Sequence, residues 1–414
     1  SFVGGGLENC AKCLVVTIAG GQRNTGSANY ATIGGGFCNR VSGCLSTIAG
    51  GYVNCITTQC SFIGGGCLNL ITGGTSVIGG GTENSVSGAG HNTMGGGCRN
   101  FIGGNASYAY IGGGLCNVTN AGSGTTGQTI VGGLCNTVNG AYSSIVGGFK
   151  NTASGDFSFI GGGCLNKSFS QQSAVVAGSN NNATGPCSFI GSGAVNYTLG
   201  IAANVVGGCY NNNCSRASII GAGEFNNLES NHEDSAIVAG YNNRIGGDGT
   251  SCKGNFIGGA YNSSICNSGC SSILGGFQHS INGPTRATIL GGDCNCICGA
   301  ACNSVIVSGW CNKINGGCSA FIGSGYNNII SSTGCQSAIL GGWNNTLNHN
   351  FSFIIGAGLT STDTLTTYAN SVTVDQHLQV GGTTSMTTTT GRIDATNDVV
   401  AFATSDRRLK CNIK

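Results

Sequence analysis

From residue 1 to about residue 356 the chain repeats one short pattern: an apolar residue, a glycine-rich stretch, an asparagine, a second short apolar run, then a turn. In residues 61–69 it reads Ser-Phe-Ile-Gly-Gly-Gly-Cys-Leu-Asn. Aligned on the apolar residue equivalent to Ile63, counted as position zero, twenty-three copies fit, most of them 15 residues apart, with Phe256 read as one of the zeros. Every zero is apolar and nearly all are β-branched, as a short strand prefers. A unit this short supplies one coil of a solenoid, because it cannot bury its apolar face without neighbours stacked on it. The pattern therefore predicts an all-β fold, a β-solenoid or β-roll of about 15-residue coils. Each coil would hold a strand, a Gly-Gly corner, an Asn turn and a second short strand.

Each position of the repeat carries its own expectation. Ile63 points into the coil. Position +2, Gly65 in this copy, is always Gly, Ala or Ser and reads as a place without room for a larger side chain. Position +3, Gly66, is Gly in 22 of 23 copies, which predicts a positive φ. Position +6, Asn69, is Asn in 21 copies, a residue that tolerates the left-handed region and bonds its amide to nearby backbone. Positions −1 and +1 trade volume: Phe62 stands with Gly64 and Phe159 with Gly161, whereas Ser144 stands with Val146 and Ala338 with Leu340. Compensation of that kind predicts close packing on the outward face too. One coil encloses only one face, so the other would pack on a symmetric copy, making the chain a homo-oligomer. At about 4.8 Å per coil, the copies would stack into a rod roughly 110 Å long.

Composition narrows the function. Gly is 78 of 414 residues and Pro only 2, without the every-third-residue glycine of collagen. A net charge of +2 and 7% charged residues, with no Lys/Arg run, speak against a nucleic-acid partner. No apolar run is long enough to span a membrane. The five histidines show no metal-ligand spacing, and the Gly-Gly-Gly strings lack the Lys-Ser/Thr of a phosphate loop. No metal, cofactor or paired-carboxylate chemistry is expected. The 25 cysteines sit largely in the turns, where they read as small, semi-apolar substitutes for Ser or Ala. Cys302, Cys318 and Cys335 lie at −4 of successive coils and should stack, which would also permit disulfides between coils. The nine Asn-x-Ser/Thr sequons carry little weight in so Asn-rich a chain.

Irregular coils mark candidate binding loops, because extra residues in a solenoid go outward. The insertions at 229–234 and 246–254 hold the densest charge, with Glu229, His232, Asp234, Asp248 and Lys253 as candidate contacts. After residue 358 Gly thins and Thr dominates. The expected organisation is a repeat shaft over 1–358, a β-rich neck of Thr-rich strands over 359–404, and a distinct segment over 405–414.

That last segment contains Ser405-Asp406, Arg408-Leu409-Lys410 and Asn412-Ile413. It resembles the start of the intramolecular chaperone auto-processing domain that follows viral tail spikes and fibres. The resemblance implies a trimer, assembly assisted by that domain, and self-cleavage before Ser405, with Ser405 as nucleophile and Lys410 as its general base. The body of such a domain is not in the sequence. The shaft also resembles the head of trimeric autotransporter adhesins, a left-handed parallel β-roll. Together the resemblances imply a virion fibre or spike, side-by-side or intertwined as a homotrimer, presenting loops to a host-cell receptor or glycan. The alternative they imply is an adhesin head on a bacterial surface. On either reading the mature rod is not an enzyme.

Overall fold

The computed structural model describes residues 1–122, 126–248 and 253–371, and these form a parallel β-solenoid with coils of about 16 residues. Among the described residues there is no helix. The first sheet has 24 strands and carries position zero, as in Phe62–Ile63 and Val77–Ile78. The second has 22 strands and carries positions +7 and +8, as in Leu70–Ile71 and Ser85–Val86. Each strand pairs in parallel with its equivalent one coil before and one coil after: Ile63 lies between Ile48 and Ile78, and Ile71 between Ile56 and Val86. The second ladder starts at Cys10–Ala11, which has one partner, and at its far end Thr346 pairs both with Ile329 and, by a single bridge, with Thr360.

The core is a column of zero residues facing a column of +8 residues. Ile63, Ile78 and Ile111 from the first sheet and Ile56, Ile71 and Val86 from the second are all fully buried. Between residues 119 and 213 the +8 column turns small or polar, with Thr119, Ser168, Thr198 and Asn213 all buried. Buried polar groups need partners, and Asn213 has them: its amide donates to the carbonyls of Asn204 and Ser218, and its Oδ1 accepts from the Ser218 hydroxyl.

Two corners close each coil. At the first, Gly66 has φ 88° as expected, and a Cβ there would lie 2.1 Å from the Gly81 carbonyl oxygen. The expectation for Gly65 fails, because nothing lies within 4 Å of a Cβ built on it. Position +2 points out of the coil, so the crowding that sequence suggested is absent from the single chain. The left-handed residues are also placed differently than expected. They fall at +5 and −3, at Leu68 (φ 58°) and Cys60 (φ 54°), and even the β-branched Val53 adopts this conformation. Strand residues donate to the following coil, as Phe62 N–H does to the Ser76 carbonyl at 3.0 Å. At a left-handed residue the peptide is turned over, so Leu68 N–H donates backward to Tyr52 and Cys60 N–H to Cys44, both at 2.9 Å. The strain of about 1–2 kcal/mol per residue is offset by a backbone hydrogen bond that no right-handed residue could make there.

One copy is misaligned by the sequence pattern. Ile237 pairs with Ile257, so position zero of that coil is Ile257 and not Phe256. This coil therefore carries Ala260 at +3 and Ser263 at +6. Ala260 takes no positive φ, although its partners Gly240 and Gly276, in neighbouring six-residue strands, have φ 111° and 102°. At the far end, Phe353–Ile355 pairs with Thr367–Ala369, so the first sheet continues beyond residue 358. Residues 372–414, including Ser405 and Lys410, lie outside the described residues.

Candidate functional site

Two side-chain ladders hold the coils in register and define what can be displayed outward. Asn69 Oδ1 accepts the N–H of Asn84, one coil on, at 3.1 Å. Its amide donates to the carbonyls of Gly65 (3.0 Å) and Gly81 (2.9 Å), so this fully buried group has partners at both ends. The row continues from Asn9 through Asn345, and its break shows the rule. Ser263 Oγ accepts from His279 N–H, and His279 Nδ1 accepts from Asn295 N–H at 3.1 Å. His279 thus stands in for Asn by offering an unprotonated nitrogen, and burial holds its pKa below the usual histidine value. The second ladder lies at −2, where Ser61 N–H donates to Ser46 Oγ and Ser76 N–H to Ser61 Oγ. Sequence reasoning passed over this row, although serine recurring every 15 residues at 46, 61 and 76 was its signal.

The outward face of the first sheet carries the −1 and +1 side chains. Within the chain this face is open: Phe62 is 40% exposed, Val146 48% and Leu340 45%. Glycine at +1 beside Phe62 has a local cause, which recurs at Gly34 and Gly95 beside the smaller Thr32 and Thr93. A Cβ on Gly64 would meet the Gly79 carbonyl oxygen at 2.3 Å, and the Phe62 ring edge lies 3.5 Å away, across the bare glycine. Gly161 beside Phe159 and Gly191 beside Phe189 repeat this geometry. The carbonyl contact explains glycine at +1 but not its pairing with a large −1 residue, and within one chain the outward face is exposed rather than buried. What remains is a stripe of exposed and half-exposed apolar side chains in every coil from Tyr110 to Ile355.

The structure divides the charged candidates into two groups. Arg244 holds Glu229 in a forked pair, Nε to Oε1 at 2.6 Å and Nη2 to Oε2 at 2.9 Å, and Gly247 N–H adds a third donor at 3.0 Å. The Arg244 hydrogen bond lowers the Glu229 pKa despite its partial burial. His232 is nearby and fully buried, with neither ring nitrogen hydrogen-bonded, and burial lowers its pKa. Separately, Lys253 pairs with Glu233 at 2.6 Å. Asp234 occupies a left-handed corner (φ 56°), and Asp248 is exposed. Glu229 and Lys253 are thus neutralised by partners within the chain, and His232 is out of reach of an external ligand. Asp248 and Asp234 are the candidates that no ion pair holds among the described residues.

The described cysteines are free thiols. The expected stacking at −4 is present, since Cys318 N–H donates to Cys335 Sγ at 3.3 Å and Cys302 lies within hydrogen-bonding reach of Cys318. Four sequon asparagines, Asn117, Asn166, Asn196 and Asn213, are buried. The first three belong to the Asn ladder and the fourth to the core, so none offers its amide to a glycan in the folded chain. No group of three or more His, Cys, Asp or Glu among the described residues is placed to hold a metal ion. No family model matches the chain, and no curated protein matches it by sequence.

Proposed function

We propose that the chain is the shaft of a homo-oligomeric surface fibre, most simply three copies about one axis, carried on a virion and presenting its outward loops to a host-cell receptor or glycan. The observation that carries the oligomer is the apolar stripe on the first sheet, present in every coil from Tyr110 to Ile355 and longer than a single soluble chain leaves uncovered. The row of Gly, Ala and Ser at +2 supports it. Apart from Gly356, a Cβ on any of the glycines here would meet nothing closer than 3.5 Å in one chain, yet none of the +2 residues is large, as expected where a second backbone approaches closely. The virion assignment rests on the resemblance of residues 405–413 to a fibre auto-processing segment, with Ser405 and Lys410 acting only in maturation.

Light scattering on the purified chain tests the oligomer. Three copies of the 41.1 kDa chain weigh about 123 kDa, and a folded species of single-chain mass overturns the proposal. Gly162→Leu sharpens the test. It adds a side chain where one chain has nothing within 4 Å, so it should leave the coil intact and dissociate the oligomer. For attachment, deletion of 229–254 should abolish binding of the assembled fibre to its host surface, and undiminished binding would remove those loops from the proposal.

A further inference from the structure

Position +4 lines one edge of the rod, and its residues bridge from coil to coil. In the last third of the shaft this column becomes aromatic: Tyr241, Tyr261 and Phe277, then Trp310, Tyr326 and Trp343. Rings of successive coils meet along it: Tyr241–Tyr261 and Tyr261–Phe277 stack with centroids 4.9 and 5.0 Å apart, and Trp310 leans on Tyr326 at 5.1 Å with the planes tilted by 48°. One coil interrupts the stack. Between Phe277 and Trp310 the column holds Asp293, bridged to both.

Omitting one ring from such a stack leaves a slot two coil rises deep, roughly 9.6 Å between the chain levels of Phe277 and Trp310. A carboxylate stands at its base, and the two flanking rings are 40% and 54% exposed. Asp293 takes part in no ion pair among the described residues. Its carboxylate accepts from the Cys294 thiol at 3.1 Å, a contact that helps push the thiol pKa up to about 11, so the thiol brings no competing charge. Glu224, the other acid of this column in the same region, has a ring on one side only, with Cys209 on the other.

We propose that Phe277, Asp293 and Trp310 form a binding slot for an organic cation, with a quaternary ammonium the best fit. Two ring faces attract a cation through their quadrupoles, and tryptophan is the strongest such partner. The carboxylate supplies net charge, and an ammonium with no N–H loses no hydrogen bonds on leaving water. A neutral group of the same shape gains only apolar contact. The slot is complete within one chain, so its test is separate from that of the oligomer.

The full-length W343F variant leaves Trp310 as the sole tryptophan. Its fluorescence should change saturably with choline chloride at constant total chloride, with half-saturation in the millimolar range. The neutral isostere 3,3-dimethylbutan-1-ol should bind at least tenfold more weakly. Adding D293N or F277A should weaken choline at least fivefold while the circular dichroism spectrum stays unchanged. A response that does not saturate, equal responses to choline and the alcohol, or an unaltered half-saturation in a natively folded D293N variant would each overturn the slot.

Discussion

At the scale of single residues, the ladders concentrate the energetics. Truncating Asn69 to Ala removes the acceptor for Asn84 N–H and the donors to Gly65 and Gly81. Each buried group left unsatisfied costs about 1–3 kcal/mol, less where a neighbour adjusts. The expected loss is about 2–4 kcal/mol, read as a lower guanidinium midpoint with faster amide exchange confined to the coils around residue 69. His279 gives a pH signature. Burial holds its folded pKa below that of the unfolded chain, so the unfolded state binds the extra proton. Stability is then complete above the ordinary histidine value near 6.5 and falls as pH drops below it. Of the charged groups near the ring, Asp293 alone opposes this shift. H279N should restore the asparagine ladder and flatten the loss between pH 7 and 5, with buried His232 supplying what slope remains. An unchanged pH profile would contradict the assigned role.

At the scale of the element, the two glycines of the Gly-Gly corner differ in kind. Gly66 combines φ 88° with a backbone oxygen 2.1 Å from any Cβ, whereas Gly162, at position +2 of its own copy, has neither restriction. Gly66→Ala should therefore cost about 2 kcal/mol or more, and Gly162→Ala should leave the unfolding midpoint of the dissociated chain within experimental error. Comparable losses from both would mean that the corner is crowded on each side. The exposed Glu8–Arg23 and Glu83–Arg99 pairs join neighbouring coils at 2.6 Å, yet surface pairs of this kind contribute about 0–1 kcal/mol. The solenoid is held by its core columns and amide ladders rather than by charge.

At the scale of the whole molecule, each coil touches only its neighbours, so stability is close to a sum of coil and interface terms. The polar stretch of the interior, where the +8 column passes through Thr119, Ser168, Thr198 and Asn213, should be the weakest segment of the shaft. Ser168→Val should raise stability by roughly 1 kcal/mol of added apolar burial, read as a higher denaturant midpoint, and a lower midpoint would mean that the buried hydrogen bond to Ser173 outweighs it. Because parallel strands pair only with residues about 16 positions away, the fold has a single long axis along which the apolar stripe, the aromatic column and the charged loops form separate lines. That separation lets one edge assemble while another binds.

Period and composition alone determined the all-β solenoid, the interior role of Ile63, the positive φ at Gly66 and the stacking of the −4 cysteines. All follow from local sterics repeated at a fixed spacing. Tertiary structure decided what depends on the neighbouring coil. It placed the left-handed residues at +5 and −3, where side-chain identity varies from Glu8 to Val53 and leaves no trace in the pattern. It made Asn69 a ladder member rather than a left-handed turn residue, turned Gly65 outward, and moved position zero from Phe256 to Ile257. It also showed that a carbonyl of the next coil leaves no room for a Cβ on Gly64. Those features are set by which carbonyl or amide lies one coil away, and a repeat read along the chain carries no record of the backbone stacked above it.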